Sequence, residues 1–163
     1  MLLRTTAIAG IIILGSLLLF HNSNNDTKSI QSENINAFIQ KEKIQDPNIV
    51  RISDSKYYLF SNKSNSVYVY ERNGNSHTSH SVPRNGIVFG GLEPGSFGLI
   101  IQNDNILKNA SKYNLIIDGE SKTYEYNHEI YLVVQDQRIW NPTPQVTIEF
   151  LDKQQNIILK ESF

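Results

Sequence analysis

His77-Thr78-Ser79-His80 comes closer than any other stretch of this sequence to a metal-binding motif. Two imidazoles three residues apart could share a metal on a helix. The surroundings read instead as turn and strand, where positions i and i+3 point to opposite faces. Glu71 is the only carboxylate nearby, and a zinc site needs three or four ligands. The expectation is exposed loop histidines and no metal. Gly86, Gly90, Gly91, Gly95 and Gly98 form a glycine-rich stretch. It lacks the GxGxxG order, no Gly-Lys-Ser/Thr follows it, and it leads into an apolar run rather than a helix. Bulges, or a tight turn at Glu93-Pro94-Gly95, are expected in place of a phosphate cradle. Ser96 lies in Gly95-Ser96-Phe97-Gly98, which lacks the glycine spacing of a nucleophile elbow. Glu125 and Glu129 could face one another across a hairpin, and a solvated rim explains them more simply. No catalytic residue and no cofactor is assigned.

Aromatic residues carry more information. In the run 56–61, Tyr58 and Phe60 share one face and Tyr57 and Leu59 the other. In the run 66–72, Tyr68 and Tyr70 share a face opposite Val67 and Val69. Val is the better core residue, whereas Tyr tolerates water at its hydroxyl. Val67 and Val69 are therefore expected inside. Tyr68 and Tyr70 are expected to line a partly exposed patch with Tyr58 or Tyr57, whichever the register selects. Coverage of that face by a short helix through Phe38 and Ile39 is the competing reading. Trp140, the single tryptophan, precedes an Asn-Pro break at a strand end. It is either a plug at the edge of the core or a binding anchor of the hot-spot type. Tyr57, Tyr58, Tyr68, Tyr70 and Trp140 make up the candidate binding face.

The elements that must position these residues are mostly strands. Residues 32–43 have helical spacing, with Ser32 as a candidate N-cap and Ile35, Phe38 and Ile39 on one face. Asp46-Pro47 ends that pattern. Beyond it the period becomes two. Strands are expected at 49–52, 56–61, 66–72, 87–89, 97–102, 113–117, 121–126, 129–134, 145–150 and 157–160. Turns are expected at 62–65, Asn73-Gly74 and Asp118-Gly119, and a break at 141–144. Val146, Ile148 and Phe150 should point inward and Gln145, Thr147 and Glu149 outward. Turn signals every 8 to 12 residues or so, without helical crossovers, predict an antiparallel sandwich or barrel.

The N-terminus differs in kind. Arg4 precedes an uncharged run, 5–20, rich in Ile and Leu. As a helix this run would span roughly 24 Å, short of a hydrocarbon core of roughly 30 Å. Leu2 and Leu3 extend it if Arg4 snorkels. No A-x-A-like site follows at 21–26, which favours an uncleaved anchor over a cleaved secretory signal. The basic start places the remainder of the chain outside the cytoplasm. Residues 21–43 then form a polar spacer with the short helix, and 44–163 one β-sandwich domain. Outside 1–20 the chain has 14 basic and 16 acidic residues. That near balance gives no electrostatic case for nucleic acid. The absence of Cys excludes disulfides, thiolate catalysis and a thioether lipid anchor.

Arg138-Ile139-Trp140, the Pro142-Thr143-Pro144 break and a closing hairpin carry a family resemblance. In that hairpin, Phe150-Leu151-Asp152 turns through 153–156 into Ile157-Ile158-Leu159. Together these features resemble uncharacterised short extracytoplasmic domains of Gram-positive bacteria, membrane-anchored or of lipoprotein type. The likeness covers the last two-thirds of the chain. It implies location and fold and supplies no site residue. The lipobox Cys is missing, so anchoring would be by peptide.

The expectation is thus an all-β, immunoglobulin-like antiparallel sandwich behind one N-terminal transmembrane helix. It would sit at the cell membrane with its C-terminal domain outside, or be secreted if the segment is cleaved. Its expected role is a non-enzymatic interaction module of the cell envelope, held to the membrane by 1–20 and binding a protein, peptide or cell-wall partner. An accessory or sensory ectodomain of a membrane complex is the alternative, and an envelope hydrolase comes third.

Overall fold

The computed structural model describes residues 34–72, 77–80, 83–140 and 145–163, with 77–80 described for the backbone only. The hydrophobic segment 1–20 and the polar stretch after it lie outside the described residues, as do the Asn73-Gly74 turn and the 141–144 break. No helix among the described residues is long and apolar enough to cross a membrane. The chain divides into two compact units, Met1–Lys43 and Ile44–Phe163. In the first, helix α1 covers 34–41 with Ile35 and Phe38 buried, as the helical spacing predicts. Lys43, at φ 53°, leaves the helical region and ends it.

The second unit is built almost wholly of antiparallel strands. β1 (Asn48–Arg51), β2 (Lys56–Ser61), β3 (Ser66–Glu71) and β4 (His77–His80) form a meander in chain order. β5 (Ile87–Glu93), β6 (Ser96–Ile101) and β9 (Tyr131–Gln135) form a three-stranded sheet in that order. β7 (Lys112–Ile117), β8 (Glu120–Glu125), β10 (Val146–Leu151) and β11 (Ile157–Ser162) form the third, in the order β11-β10-β7-β8. A short helix α2 (Asp104–Asn109) carries the chain from β6 to β7.

Two apolar layers result. Phe97, Leu99 and Ile101 from one face of β6 meet Leu115, Ile117, Ile148 and Phe150 of the third sheet. Ile100 and Val88, on the other face of the middle sheet, meet Tyr58, Phe60, Val67 and Val69 of the meander. The middle sheet is covered on both faces because β6 is apolar on both, every one of its residues being buried. The arrangement is all-β and antiparallel, consistent with the sandwich expected over 44–163, and holds three sheets. The meander adds the extra layer.

Glycine makes the meander layer possible. A Cβ on Gly98 would stand 2.8 Å from Phe60 Cε1 and 2.8 Å from Val67 Cγ1. One on Gly91 would stand 2.8 Å from Tyr58 Cε1. Real side chains do not approach so closely, so only glycine lets the sheets close at these points. Tyr58 then crosses the gap. Its hydroxyl contacts the carbonyl of Gly91 at 2.9 Å and Oγ of Ser96 at 2.8 Å.

The turns obey local chemistry. Asp118 and Gly119, at φ 49° and 86°, make the two-residue β7–β8 hairpin, as Asp-Gly predicts. Pro94-Gly95 turns β5 into β6, with Gly95 at φ 82° and a bulge between Gly90 and Glu93. In the β10–β11 turn the Asp152 carboxylate accepts from the backbone N–H of Gln154 and Asn156. The side chain of Asn156 adds a third bond and leads in drawing that carboxyl below its ordinary range.

Helix α2 was not expected from the sequence, and the turn-and-strand stretch around His77–His80, whose histidines were expected in a loop, holds strand β4. α2 is six residues long, too short for a periodic signal. Its mark is Asn103, whose side chain accepts from the N–H of Asn105 and Ile106 as an N-cap. β4 contains no apolar residue, and it pairs with β3 in the register His77 with Val69 and His80 with Ser66.

Candidate functional site

The tyrosine hairpin is paired as the alternation requires. Tyr58 stands opposite Val69 and Tyr57 opposite Tyr70. Val67 and Val69 are fully buried, as expected. The register selects Tyr57, and Tyr58 is removed from the candidate face. Its ring belongs to the core between the first two sheets, where a hydroxyl partner was waiting on the bulged strand. Tyr57 and Tyr70 pack at 6.2 Å between ring centroids. Tyr57 and Tyr68 are only 7% and 5% exposed, and Tyr70 is half-buried. The expectation of a partly exposed Tyr68 is corrected accordingly: the ring packs instead of facing water.

Trp140 is placed quite differently. It is 66% exposed, the most exposed of the large apolar side chains described. A core plug is excluded by that exposure. The residues just before it are held tightly. Ile139 is buried in the main core at 1% exposure. The Ile139 N–H donates to the Asp136 carbonyl at 3.0 Å, and the N–H of Asp136 donates to the carbonyl of Gly95 at 3.1 Å. Gly95 in turn donates its N–H to the carbonyl of Ile139, so the corner is tied on both sides to the β5–β6 turn.

Arg138 completes this clamp. Its Nε and Nη2 donate to the two oxygens of Asp136, at 3.0 and 2.8 Å. Nη1 donates to the Glu120 carbonyl at 2.7 Å and Nη2 also to that of Leu115 at 3.3 Å. One side chain thus joins the corner to both strands of the β7–β8 hairpin. The bidentate geometry is the strong form of this pair. The hydrogen bonds from Arg138 hold the Asp136 carboxyl well below the usual carboxylate range. Tyr124 donates its hydroxyl to the same carboxylate at 2.5 Å. Burial, and then that bond, push the Tyr124 phenol upward.

Two recesses flank Arg138. One, of about 210 Å³, is lined by Ile117, Asp118, Glu120, Arg138 and Trp140. The other, of about 390 Å³, runs along β8 from Glu120 to Lys122 and faces 136–138. Both share Glu120 and Arg138. Trp140 stands out in the sequence by its type, whereas this support leaves no pattern there, because Asp136 and Arg138 are two apart in a loop and their partners lie on β7 and β8.

A larger cleft of about 520 Å³ lies at the opposite end, between α2 and the β10–β11 turn. Its polar groups largely satisfy one another. Asn109 donates to Asn105 at 2.6 Å, Lys108 pairs with Asp104 at 3.1 Å, and Asp152 is held by its own turn. Ser96 is 4% exposed and its hydroxyl is engaged by that of Tyr58 at 2.8 Å. Glu125 pairs with Lys112 at 3.6 Å while Glu129 accepts from the Asn127 N–H at 3.0 Å, so the two do not act as a pair. Among the described residues no three His, Asp or Glu side chains converge as metal ligands.

No protein-family model matches the chain, and neither a curated protein nor a solved structure matches it.

Proposed function

We propose that this chain is a non-enzymatic interaction module of the cell envelope, and that Trp140 is its principal contact residue. The observation carrying this reading is an exposed tryptophan on a corner that cannot easily move. A buried isoleucine, the Gly95 backbone and the Arg138 clamp fix the residues just before it. Hot spots favour large aromatic side chains presented from rigid supports.

The immunoglobulin-like part of the reading rests on strand order. β5-β6-β9 faces β11-β10-β7-β8, seven antiparallel strands in two packed sheets, with β1–β4 as an added layer. Membrane anchoring through 1–20, the extracytoplasmic location and the kinship with Gram-positive envelope domains rest on the sequence patterns described above. The hydrolase reading is weaker, since Asp118 and Glu120 beside the recess both stand in water, where nothing sequesters one as a general acid.

The test is photocrosslinking in intact cells followed by purification of the chain. Trp140→Ala should lose the crosslinked partner at unchanged protein level. Retention of the partner by that variant refutes the role given to Trp140. A reporter enzyme fused after Ser61 should be active only outside the cytoplasm, and cytoplasmic activity refutes the location.

A further inference from the structure

We propose that the two recesses flanking Arg138 form one carbohydrate-binding groove, which takes a chain of uncharged pyranose units with one ring stacked on Trp140. This rests on the reading of Trp140 as a contact residue and gives its partner a chemical class.

The ligand is chosen by the lining. A sugar ring presents a C–H face with a slight positive potential, which suits the negative face of an exposed indole. Around its edge it carries hydroxyls that both donate and accept, so its site needs both kinds of partner in the plane of the ring. Asp118 and Glu120 supply acceptors, Lys122 supplies donors, and Gln137 supplies both. Nη1 of Arg138 uses one N–H on the Glu120 carbonyl, which leaves its second for a ligand.

Size and polarity agree. The recess of about 210 Å³ beside Trp140 is the size of a single sugar ring, and the cleft of about 390 Å³ leaves room for further units along β8. Apart from Trp140, only Ile117 is apolar in this lining. The groove therefore has no apolar pocket for a hydrophobic peptide side chain. Its charges are mixed, with Asp118, Glu120 and Asp136 against Lys122 and Arg138, so no basic excess attracts an anionic polymer.

Trp140 is the single tryptophan, so the emission of the full chain, held in phosphocholine micelles, reports this groove directly. The probes are cellotetraose and chitotetraose. At least one should change the emission saturably, with a Kd raised about tenfold or more by Lys122→Ala with Gln137→Ala at unchanged Tm. Failure of both sugars at millimolar concentration overturns the proposal, as does binding that the double variant leaves intact. A peptide selected from a displayed library that changes the emission where both sugars fail reassigns the groove to peptides and leaves the Trp140 reading standing. That reading falls separately if Trp140→Ala keeps the crosslinked partner.

Discussion

Arg138 holds both carboxylate oxygens of Asp136, at 3.0 and 2.8 Å, and by this pair fastens the corner before Trp140 to the β7–β8 hairpin. The Asp136 side chain is 3% exposed and that of Arg138 24%. Breaking such a pair leaves a charge enclosed without its partner. Asp136→Asn should therefore lower stability by about 2–4 kcal/mol, read by denaturant unfolding. A change within surface noise would show that the clamp does not support the corner.

The same pair sets an acid limit. The folded carboxyl of Asp136 titrates below its unfolded value, so its contribution to stability is complete above the unfolded pKa of about 3.9. It is lost only as pH falls from there through the lower folded value. Carboxyl NMR should show Asp136 still ionised at pH values where ordinary aspartates have protonated. Protonation in the ordinary range contradicts the geometry.

Tyrosines set the opposite limit. Burial raises the phenols of Tyr58, Tyr113 and Tyr126 far above their ordinary range. A raised folded pKa means that their contribution is complete below the unfolded value of about 10 and declines as pH rises beyond it. Alkaline unfolding should coincide with a jump in phenolate absorbance. Gradual ionisation of these three in the folded protein would contradict their burial. Tyr58→Phe should cost about 1–3 kcal/mol by orphaning its partners on β5 and β6.

Sheet closure gives an ordering of glycine variants. Gly91→Ala combines a φ of 64° with a Cβ 2.8 Å from the Tyr58 ring. Gly95→Ala has a φ of 82° but nothing within 4 Å. Gly95→Ala should therefore cost about 1–2 kcal/mol of backbone strain, and Gly91→Ala about 1–3 kcal/mol more for overpacking. Equal thermal shifts for the two would dismiss the close approach of the sheets.

Strand alternation was legible because each strand buries a face. Val146, Ile148 and Phe150 point inward as the alternation of β10 requires, and Phe150→Ala should cost about 3–5 kcal/mol. Glu149 does face outward, yet it is only 8% exposed, because Lys160 on β11 and Asn114 on β7 close over it at 2.8 and 3.2 Å. Lateral neighbours are invisible to a single strand's pattern. The bulge at Gly90 to Glu93 and the Asp118-Gly119 turn were readable from glycine placement. The third sheet was not, since a strand apolar on both faces does not say what covers each. For the site, Trp140 could be singled out by type alone, whereas its exposure depends on Ile139 taking the buried position and Arg138 reaching across to β7 and β8.

Trp140 also permits the most direct test of the account. Incorporation of a fluorinated tryptophan gives one ¹⁹F resonance for the whole chain. In the purified protein that line should respond fully to solvent exchange of H2O for D2O, as an exposed indole does. Addition of isolated cell envelope should broaden or shift it, while plain lipid vesicles should leave it unchanged. A line insensitive to solvent, or one that isolated envelope leaves untouched, would contradict the assignment of Trp140 as the contact residue of an envelope-binding module.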